Sequence, residues 1–228
     1  MPATPTTAND APAAAPALGA ARAAMTAPVL YLASKSPRRQ ELLRQLGVEF
    51  TELRLREAPG RRRDVVERPR PGEPAHDYVR RIARAKAETG WRRMRARNLP
   101  PMPVLGADTE VVLDGAIFGK PADAADAARM LGLLSGRTHD VLTAIALCWQ
   151  RQVVLAVCAS TVTMRALDAA GIDRYVATGE PFDKAGAYAV QGRAAAFIRR
   201  IEGSYSGVMG LPLHETAEAL ARIGFPVL

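Results

Sequence analysis

The amino-acid sequence predicts an α/β protein built on a mixed β-sheet. Apolar runs of strand length alternate with segments whose apolar residues recur every three or four positions, as in amphipathic helices. Two pairs of neighbouring apolar runs are joined by short polar turns, one of them Asp114-Gly115, which indicates hairpins and therefore antiparallel strands in the same sheet. With 228 residues, 48% of them hydrophobic, the chain can form one substantial core or two small lobes.

The individual elements follow from this alternation. Strands are predicted at 29–33, 48–53, 104–109, 141–149, 153–164 and 195–201, and a hairpin at 110–120. Helices are predicted at 37–46, 75–97, 123–134, 168–178 and 212–223. In the first helix we expect Ser36 as N-cap, Pro37 as the first helical residue and Gly47 as the residue that ends it. The Pro- and Arg-rich stretch 58–74 is predicted to be a loop, and 179–192 to be a Gly-rich polar segment.

The N-terminal segment differs from the rest of the chain. Residues 1–28 are rich in Ala, Pro and Thr without apolar periodicity, so we expect a disordered tail followed by one domain over 29–228. The tail lacks the basic start and continuous apolar middle of a secretory signal, and no run is long enough to span a bilayer. We therefore expect a cytoplasmic protein without a membrane partner, with an organelle transit peptide as the open alternative.

The net charge indicates which classes of binding partner suit the chain. The net charge of +8 and the pI of about 10.1 suit a polyanion: nucleic acid, nucleotide or acidic membrane. Arg61-Arg62-Arg63 is a candidate nucleic-acid patch, but no aromatic side chains lie between these arginines for stacking, so a solvated loop is favoured. Because only 5% of residues are aromatic and the basic residues are scattered, a stable nucleic-acid partner is not expected. A nucleic-acid-binding regulator is the alternative from another functional class.

The cysteines and histidines point away from metal or triad chemistry. Cys148 and Cys158 fall in adjacent apolar runs, which favours two buried thiols on neighbouring strands. The three histidines, His76, His139 and His214, lie far apart, so neither a zinc site nor a Ser-His-Asp triad is expected.

A turn between the first strand and the first helix is a candidate anion site. Ser34-Lys35-Ser36-Pro37-Arg38-Arg39 combines two hydroxyls, two guanidiniums and free backbone N–H groups at the positive end of a helix dipole. Such a turn suits a phosphate, because guanidinium groups bind phosphate oxygens in bidentate fashion. A helix cap with solvated arginines, or a surface ion pair of Arg39 with Glu41, is the alternative.

Two further segments carry charge where a core would exclude it. Asp108 and Thr109 are predicted to end a buried strand, and a carboxylate there is costly unless it binds a metal or a polar partner. Because ligands bind at the carboxyl ends of parallel strands, we expect Asp108 and the Ser34–Arg39 turn in one cleft. Lys86 lies in the apolar face of its helix, where either a buried functional cation or a side chain snorkelling to the surface is possible.

At these residues the chain resembles the Maf family of nucleoside triphosphate pyrophosphatases. The resemblance runs from about Val29 to the C-terminus, and five segments carry it: 32–39 with Leu42-Leu43, 106–109, Gly119-Lys120-Pro121, 183–192 and 210–213. It implies an elongated central mixed sheet flanked by helices, with two lobes around a deep cleft. It also implies metal-dependent cleavage of a nucleoside triphosphate into the monophosphate and pyrophosphate.

The resemblance also implies a substrate branch. Asp183-Lys184-Ala185-Gly186-Ala187-Tyr188 followed by Gln191-Gly192 is similar to the branch that acts on dTTP and UTP, including modified pyrimidine analogues. The branch that acts on 7-methyl-GTP has Cys-Ala-Gly and Glu-Gly near these positions and is the alternative within the family. The family's older name carries an association with septum formation, and hence with cell-division arrest.

Residue roles follow from matching positions. Asp108 is expected to be the general base, or a metal ligand that positions the attacking water. Gln191 is expected to bind a pyrimidine edge through its paired donor and acceptor groups, and Thr109 to contribute to specificity. The expected phosphate contacts, with Arg38 also close to the base, are Ser34, Ser36, Arg38, Arg39, Lys86 and Lys120.

The expected metal ligands are Asp108 and Glu67. The family tends to carry an Asp-Glu pair at the latter position, whereas this chain has Val66-Glu67, a departure that leaves one carboxylate in place of two. Since the available ligands are carboxylates and phosphates, Mg²⁺ is the expected cation, with Mn²⁺ as the alternative. A homodimer is the family expectation.

Overall fold

A computed structural model of the protein describes residues 29–56 and 64–227. The strands are β1 (Val29–Leu32), β2 (Glu49–Glu52), β3 (Val104–Leu113), β4 (Ala116–Phe118), β5 (Thr138–Trp149), β6 (Gln152–Met164) and β7 (Ile198–Glu202). The helices are α1 (Pro37–Gln45), α2 (Ala75–Ala96), α3 (Ala124–Leu134), α4 (Ala169–Val176), α5 (Tyr205–Met209) and α6 (Leu213–Arg222). Two 3₁₀ helices cover Ala185–Ala187 and Arg193–Phe197. The predicted tail over 1–28 and the Arg61–Arg63 patch lie outside the described residues.

The seven strands form one mixed sheet, as predicted. Its order is β2-β1-β3-β5-β6-β7, with β4 paired to β3. Strand β1 runs parallel to β2 and β3, whereas the β3–β4, β3–β5, β5–β6 and β6–β7 pairs are antiparallel. Within the described residues, no helix has the length and apolar character needed to cross a bilayer.

Helix α1 begins and ends where its sequence indicates. Pro37 occupies the first turn, and Gly47 adopts φ 73°, the left-handed conformation that follows many helix ends. Leu42 and Leu43 are buried against the sheet. Ser36 holds the N-cap position, but its side chain makes no capping hydrogen bond. The hydroxyl of Ser36 is thus not committed to holding the helix.

Helix α2 packs directly onto the backbone of β3. A Cβ atom on Gly106 would lie 2.5 Å from the Ala83 carbonyl oxygen and 2.5 Å from the Ala87 nitrogen, so only a glycine permits this approach. Gly90 has the converse role on the helix, since its own Cβ would lie 2.7 Å from a methyl group of Val104. The close contact at Gly106 also brings Lys86 over β3, since the same added Cβ atom on Gly106 would lie 3.0 Å from the Lys86 Cβ.

The apolar core divides along β3. Leu105 and Ala107 belong to a cluster with β1, α1 and α6, whereas Val111 and Leu113 belong to a second cluster with α3 and α4. A third cluster lies between α2 and the sheet. The segment 108–110 therefore separates two packed regions, which agrees with the two-lobe expectation.

Three predictions about the elements were wrong in detail. Strand β3 continues to Leu113 because it pairs with β5 over most of its length, so Asp108 is internal to the strand. Residues 195–197 form a 3₁₀ turn before β7, and the short helix α5 was not predicted. The stretch 179–192 was predicted as a polar segment, but it buries residues 186–190. The thiols of Cys148 and Cys158 are buried on neighbouring strands, as expected.

Candidate active site

The candidate site lies where β1 ends and β3 continues. The Ala33 N–H donates to the Leu105 carbonyl at 2.8 Å, after which the chain leaves the sheet through the Ser34–Ser36 turn. Strand β3 runs on from Leu105, so Asp108 lies three residues beyond this point in the parallel direction. The Ser34–Ser36 turn and Asp108 therefore lie near one another in the fold, although Asp108 does not end its strand.

A buried ion pair forms the centre of the site. The Lys86 ammonium donates to Asp108 Oδ1 at 2.8 Å and pairs with Glu67 Oε1 at 3.0 Å. Lys86 is 9% exposed and Asp108 5% exposed, so the lysine does not snorkel to the surface. Glu67 is about half exposed and forms the outer member of the group. The sequence expectation that Lys86, Asp108 and Glu67 belong to one site agrees with this geometry.

The electrostatics of the group reflect burial first and neighbouring charge second. Burial raises the pKa of Asp108, against the opposing effect of the positive charges on Lys86 and Arg39. Burial acts to lower the pKa of Lys86, but Asp108 and Glu67 together raise it, so the ammonium keeps its proton. Burial also acts to raise the pKa of Glu67, but Lys86 and Lys120 lower it, which keeps this outer carboxylate charged.

Glu110 is a member of the site that the sequence reasoning missed. It is 8% exposed, and burial together with the charge of Asp108 raises its pKa to about 9. Alternate residues of a strand share a face, so Asp108 and Glu110 lie on the same side of β3. Among residues 29–56 and 64–227, neither Asp108 Oδ2 nor Glu110 Oε2 has a hydrogen-bond partner. The signal was available in the alternation of Asp108 and Glu110, but assigning 110–120 to a hairpin concealed it.

Arg39 connects three separate segments. Its guanidinium donates from Nε to the Gly210 carbonyl at 2.8 Å, from Nη1 to Ser34 Oγ at 3.2 Å and from Nη2 to Thr109 Oγ1 at 3.1 Å. Gly210 adopts φ 119°, which orients this carbonyl after α5. The arginine therefore fixes the turn, strand β3 and the end of α5 relative to one another, in place of a surface pair with Glu41.

The segment 183–187 is a further part of the candidate site, beside Arg38 and Lys120. The Gly186 N–H donates to the Gly119 carbonyl at 3.1 Å, which places this segment beside Lys120. Burial lowers the pKa of the Arg38 guanidinium, and the nearby Asp183 carboxylate partly offsets that effect. Arg38 is thus close to the segment that carries the resemblance to the dTTP/UTP branch.

Within the described residues, no side-chain hydrogen bond is made by four of the predicted site residues: Ser36, Arg38, Lys120 and Gln191. Ser36 contributes its backbone N–H, which donates to Ser34 Oγ at 3.2 Å. Gln191 is exposed in a turn, and its side chain makes no hydrogen bond within residues 29–56 and 64–227. The departure at Val66 leaves an apolar side chain that is 61% exposed.

The donor set fits a divalent cation that arrives with phosphate ligands. Over the described ranges, no three His, Cys, Asp or Glu side chains are arranged to hold a metal by themselves. Asp108 nevertheless has a buried oxygen without a partner, and Glu67 presents an exposed carboxylate. Mg²⁺ characteristically binds through one or two carboxylates together with substrate phosphates and water.

Known proteins match nearly all of the described chain. The solved Ham1 protein of Staphylococcus aureus covers 74% of this chain and 90% of its own at 11% identity, with a TM-score of 0.40. A protein of Aromatoleum aromaticum named dTTP/UTP pyrophosphatase is 56% identical over 199 residues, 87% of this chain and 97% of that protein. One of the same name from Nitrosomonas europaea is 52% identical over 198 residues, 87% and 96% of the two chains. The family described as Maf-like protein matches residues 29–223, and the chain belongs to that family.

Proposed function

We propose that the protein hydrolyses nucleoside triphosphates, foremost dTTP and UTP and their modified analogues, to the monophosphate and pyrophosphate. The observation that carries this function is the buried Asp108 carboxylate: Lys86 holds one oxygen, and the other has no partner in the part of the chain that the structure describes. Relatives at 52–56% identity named dTTP/UTP pyrophosphatase support the substrate class.

The chemistry assigns the free oxygen of Asp108 to the attacking water. Water attacks the α-phosphorus, its proton passes to Asp108, and the bond from that phosphorus to the bridging oxygen breaks so that pyrophosphate leaves. Lys86 keeps Asp108 oriented and places a positive charge beside the phosphates. Because the site is buried, that charge acts more strongly there than it would in water.

The phosphate chain is proposed to bind across the Ser34–Arg39 turn. Arg39 is already oriented by its bonds to Gly210 and Thr109, so little side-chain entropy is lost when a phosphate oxygen binds. The proposed phosphate-binding region at this turn is completed by Ser34, Ser36, Arg38 and the exposed Lys120. In the alternative role of Asp108, as a metal ligand together with Glu67, bound Mg²⁺ or Mn²⁺ would neutralise charge on the phosphates.

The base is proposed to contact the segment 183–192 and its neighbours. Arg38 is close to Asp183, and Gln191 presents an exposed amide at the other end of the segment. The edge of uracil or thymine presents an N–H donor beside a carbonyl acceptor, a pair that matches the acceptor and donor of the glutamine amide. We further propose a cytoplasmic homodimer whose partner is the nucleotide and neither a stable nucleic acid nor a membrane.

A substrate panel tests the proposal. Pyrophosphate and monophosphate are quantified for dTTP, UTP, dCTP, ATP, GTP and 7-methyl-GTP with Mg²⁺ and with Mn²⁺. Turnover of dTTP and UTP in preference to the others is expected. Turnover of 7-methyl-GTP instead would overturn the pyrimidine assignment while leaving the hydrolytic site intact. Salt-sensitive binding to DNA without turnover of any nucleotide would favour the regulator and contradict the enzyme.

A further inference from the structure

The Gln191-Gly192 turn is held by the carboxylate of Glu180. Glu180 Oε2 accepts the Arg193 N–H at 2.9 Å, and Oε1 accepts the Ala194 N–H at 3.3 Å. These are the first two backbone donors of the 3₁₀ helix Arg193–Phe197, which follows the turn directly. Glu180 therefore caps that short helix from outside and sets where the preceding residues lie.

Gly192 makes room for this carboxylate. A Cβ atom on Gly192 would lie 2.3 Å from Glu180 Oε1 and 2.7 Å from Oε2. The φ angle of Gly192 is −104°, which other residues adopt readily, so the glycine is required by close approach and not by backbone conformation. The backbone of Gly192, the residue after Gln191, therefore packs directly against the Glu180 carboxylate.

The other end of the support is helix α4. The Tyr175 hydroxyl donates to Glu180 Oε1 at 3.0 Å, and the Tyr175 ring packs edge-on against Phe197 with centroids 5.2 Å apart. The Glu180 N–H donates to Thr178 Oγ1 at 3.2 Å. Glu180 is therefore held at both its backbone and its carboxylate.

The charge of Glu180 is maintained by these donors. Burial acts to raise the pKa of Glu180, but the N–H groups of Arg193 and Ala194 and the Tyr175 hydroxyl lower it overall. An ionised carboxylate can accept all three hydrogen bonds, whereas a carboxamide must present an N–H to one of the three donors.

We propose that Glu180 is a positioning residue for base recognition, acting through Gly192 to fix the place of Gln191. This inference rests on the proposed function, in which Gln191 contacts the pyrimidine. The backbone at Gln191 also lies inside a closed turn, because the Gly192 N–H donates to the Ala189 carbonyl at 3.1 Å. The side chain of Gln191 is exposed and makes no hydrogen bond to any other described residue. A fixed backbone with an available amide is the arrangement that base recognition requires.

Two variants disturb the support directly. Glu180→Gln places a donor against a donor, and Gly192→Ala introduces the Cβ that the carboxylate excludes. We expect each to raise the KM for dTTP about tenfold, within the range that a displacement of about 1 Å produces, while kcat changes less than about threefold. The inhibition constant of inorganic tripolyphosphate, which has no base, is expected to match that of the wild type.

Two further variants keep the test decisive. Tyr175→Phe removes one hydrogen bond and keeps the ring, so it should fold and show a smaller rise of KM in the same direction. Asp168→Ala removes the N-cap of α4, whose carboxylate accepts the Gly171 N–H at 2.7 Å, and should lower stability by about 1 kcal/mol without changing KM. This control is at the opposite end of the same helix.

The outcomes separate the inference from the proposed function. Suppose that the wild type hydrolyses dTTP and that the Glu180, Gly192 and Tyr175 variants lose stability but keep an unchanged KM, as the Asp168 control does. Glu180 then has a structural role only, and the inference is overturned. An equal loss for tripolyphosphate would also overturn it, because the effect would then not pass through the base. A wild type that neither binds nor hydrolyses dTTP would refute the proposed function and this inference with it.

Discussion

Replacing Lys86 by methionine removes the positive charge at the centre of the site while keeping most of its volume. At 2.8 Å from Asp108 Oδ1, the ammonium and the carboxylate attract by about 6 kcal/mol for an effective dielectric constant of about 20. Most of this attraction offsets the cost of burying both charges. Removing one partner from such a buried pair nevertheless costs about 3–5 kcal/mol, because the other charge is left uncompensated.

The loss is measurable by urea unfolding followed by circular dichroism. With a slope of about 3 kcal/mol per molar urea, the midpoint should fall by about 1 M or more. Activity should fall with it, since Asp108 is then no longer held in its ionised form and orientation. Arg151→Met, in the exposed turn between β5 and β6, is the matched control and should leave both properties unchanged. A Lys86→Met protein within about 1 kcal/mol of the wild type would refute the reasoning, because surface ion pairs contribute no more than that.

Three further predictions concern other parts of the fold. Gly106→Ala should destabilise the protein by about 1–3 kcal/mol and reduce its activity, because the added Cβ would displace α2. Gly132→Ala, which has open space around it, should be neutral or stabilising, and thermal unfolding of the two variants tests this difference. Arg39→Lys should lower kcat/KM at least about tenfold, since an ammonium cannot reproduce the three hydrogen bonds of the guanidinium. Arg44→Lys on the same helix should leave kcat/KM unchanged, and equal kinetics for the two variants would contradict the role of Arg39. Burial lowers the pKa of His139 from its ordinary value of 6.5 to about 4, so between these two pH values the unfolded chain binds a proton that the folded protein does not. As the pH is lowered through this window, the free energy of unfolding should therefore fall by up to about 3 kcal/mol. His139→Gln should flatten that part of the stability–pH curve, and an unchanged slope would exclude His139 as its source.

The order of elements was predictable because local patterns determine it. Apolar periodicity gave the helices and strands, and Pro37 and Gly47 marked the limits of α1. Lys86 was identifiable as a cation in an apolar helical face, and the structure places it on Asp108. The meeting of Asp108 with the Ser34 turn followed from the parallel pairing of β1 and β3, although the strand-end argument misplaced Asp108 within β3.

The remainder depended on contacts between distant segments. Arg39 bonds to Gly210, 171 residues further along the chain, and no local pattern indicates that pairing. The burial of Glu110 depends on β3 continuing past Asp108, which its pairing with β5 determines. The 3₁₀ turn before β7 forms because Glu180 caps it, again a contact made only in the folded protein.

The central claim is that Asp108 activates the water that cleaves the triphosphate. The measurement that tests it most directly is single-turnover hydrolysis of dTTP by wild type and Asp108→Asn, with dTTP binding measured separately and folding checked by circular dichroism. The account predicts a folded variant that still binds dTTP and whose hydrolysis is slower by about 10²–10⁴-fold, the usual contribution of a general base. A folded variant that retains more than about a tenth of the wild-type rate would contradict the assignment.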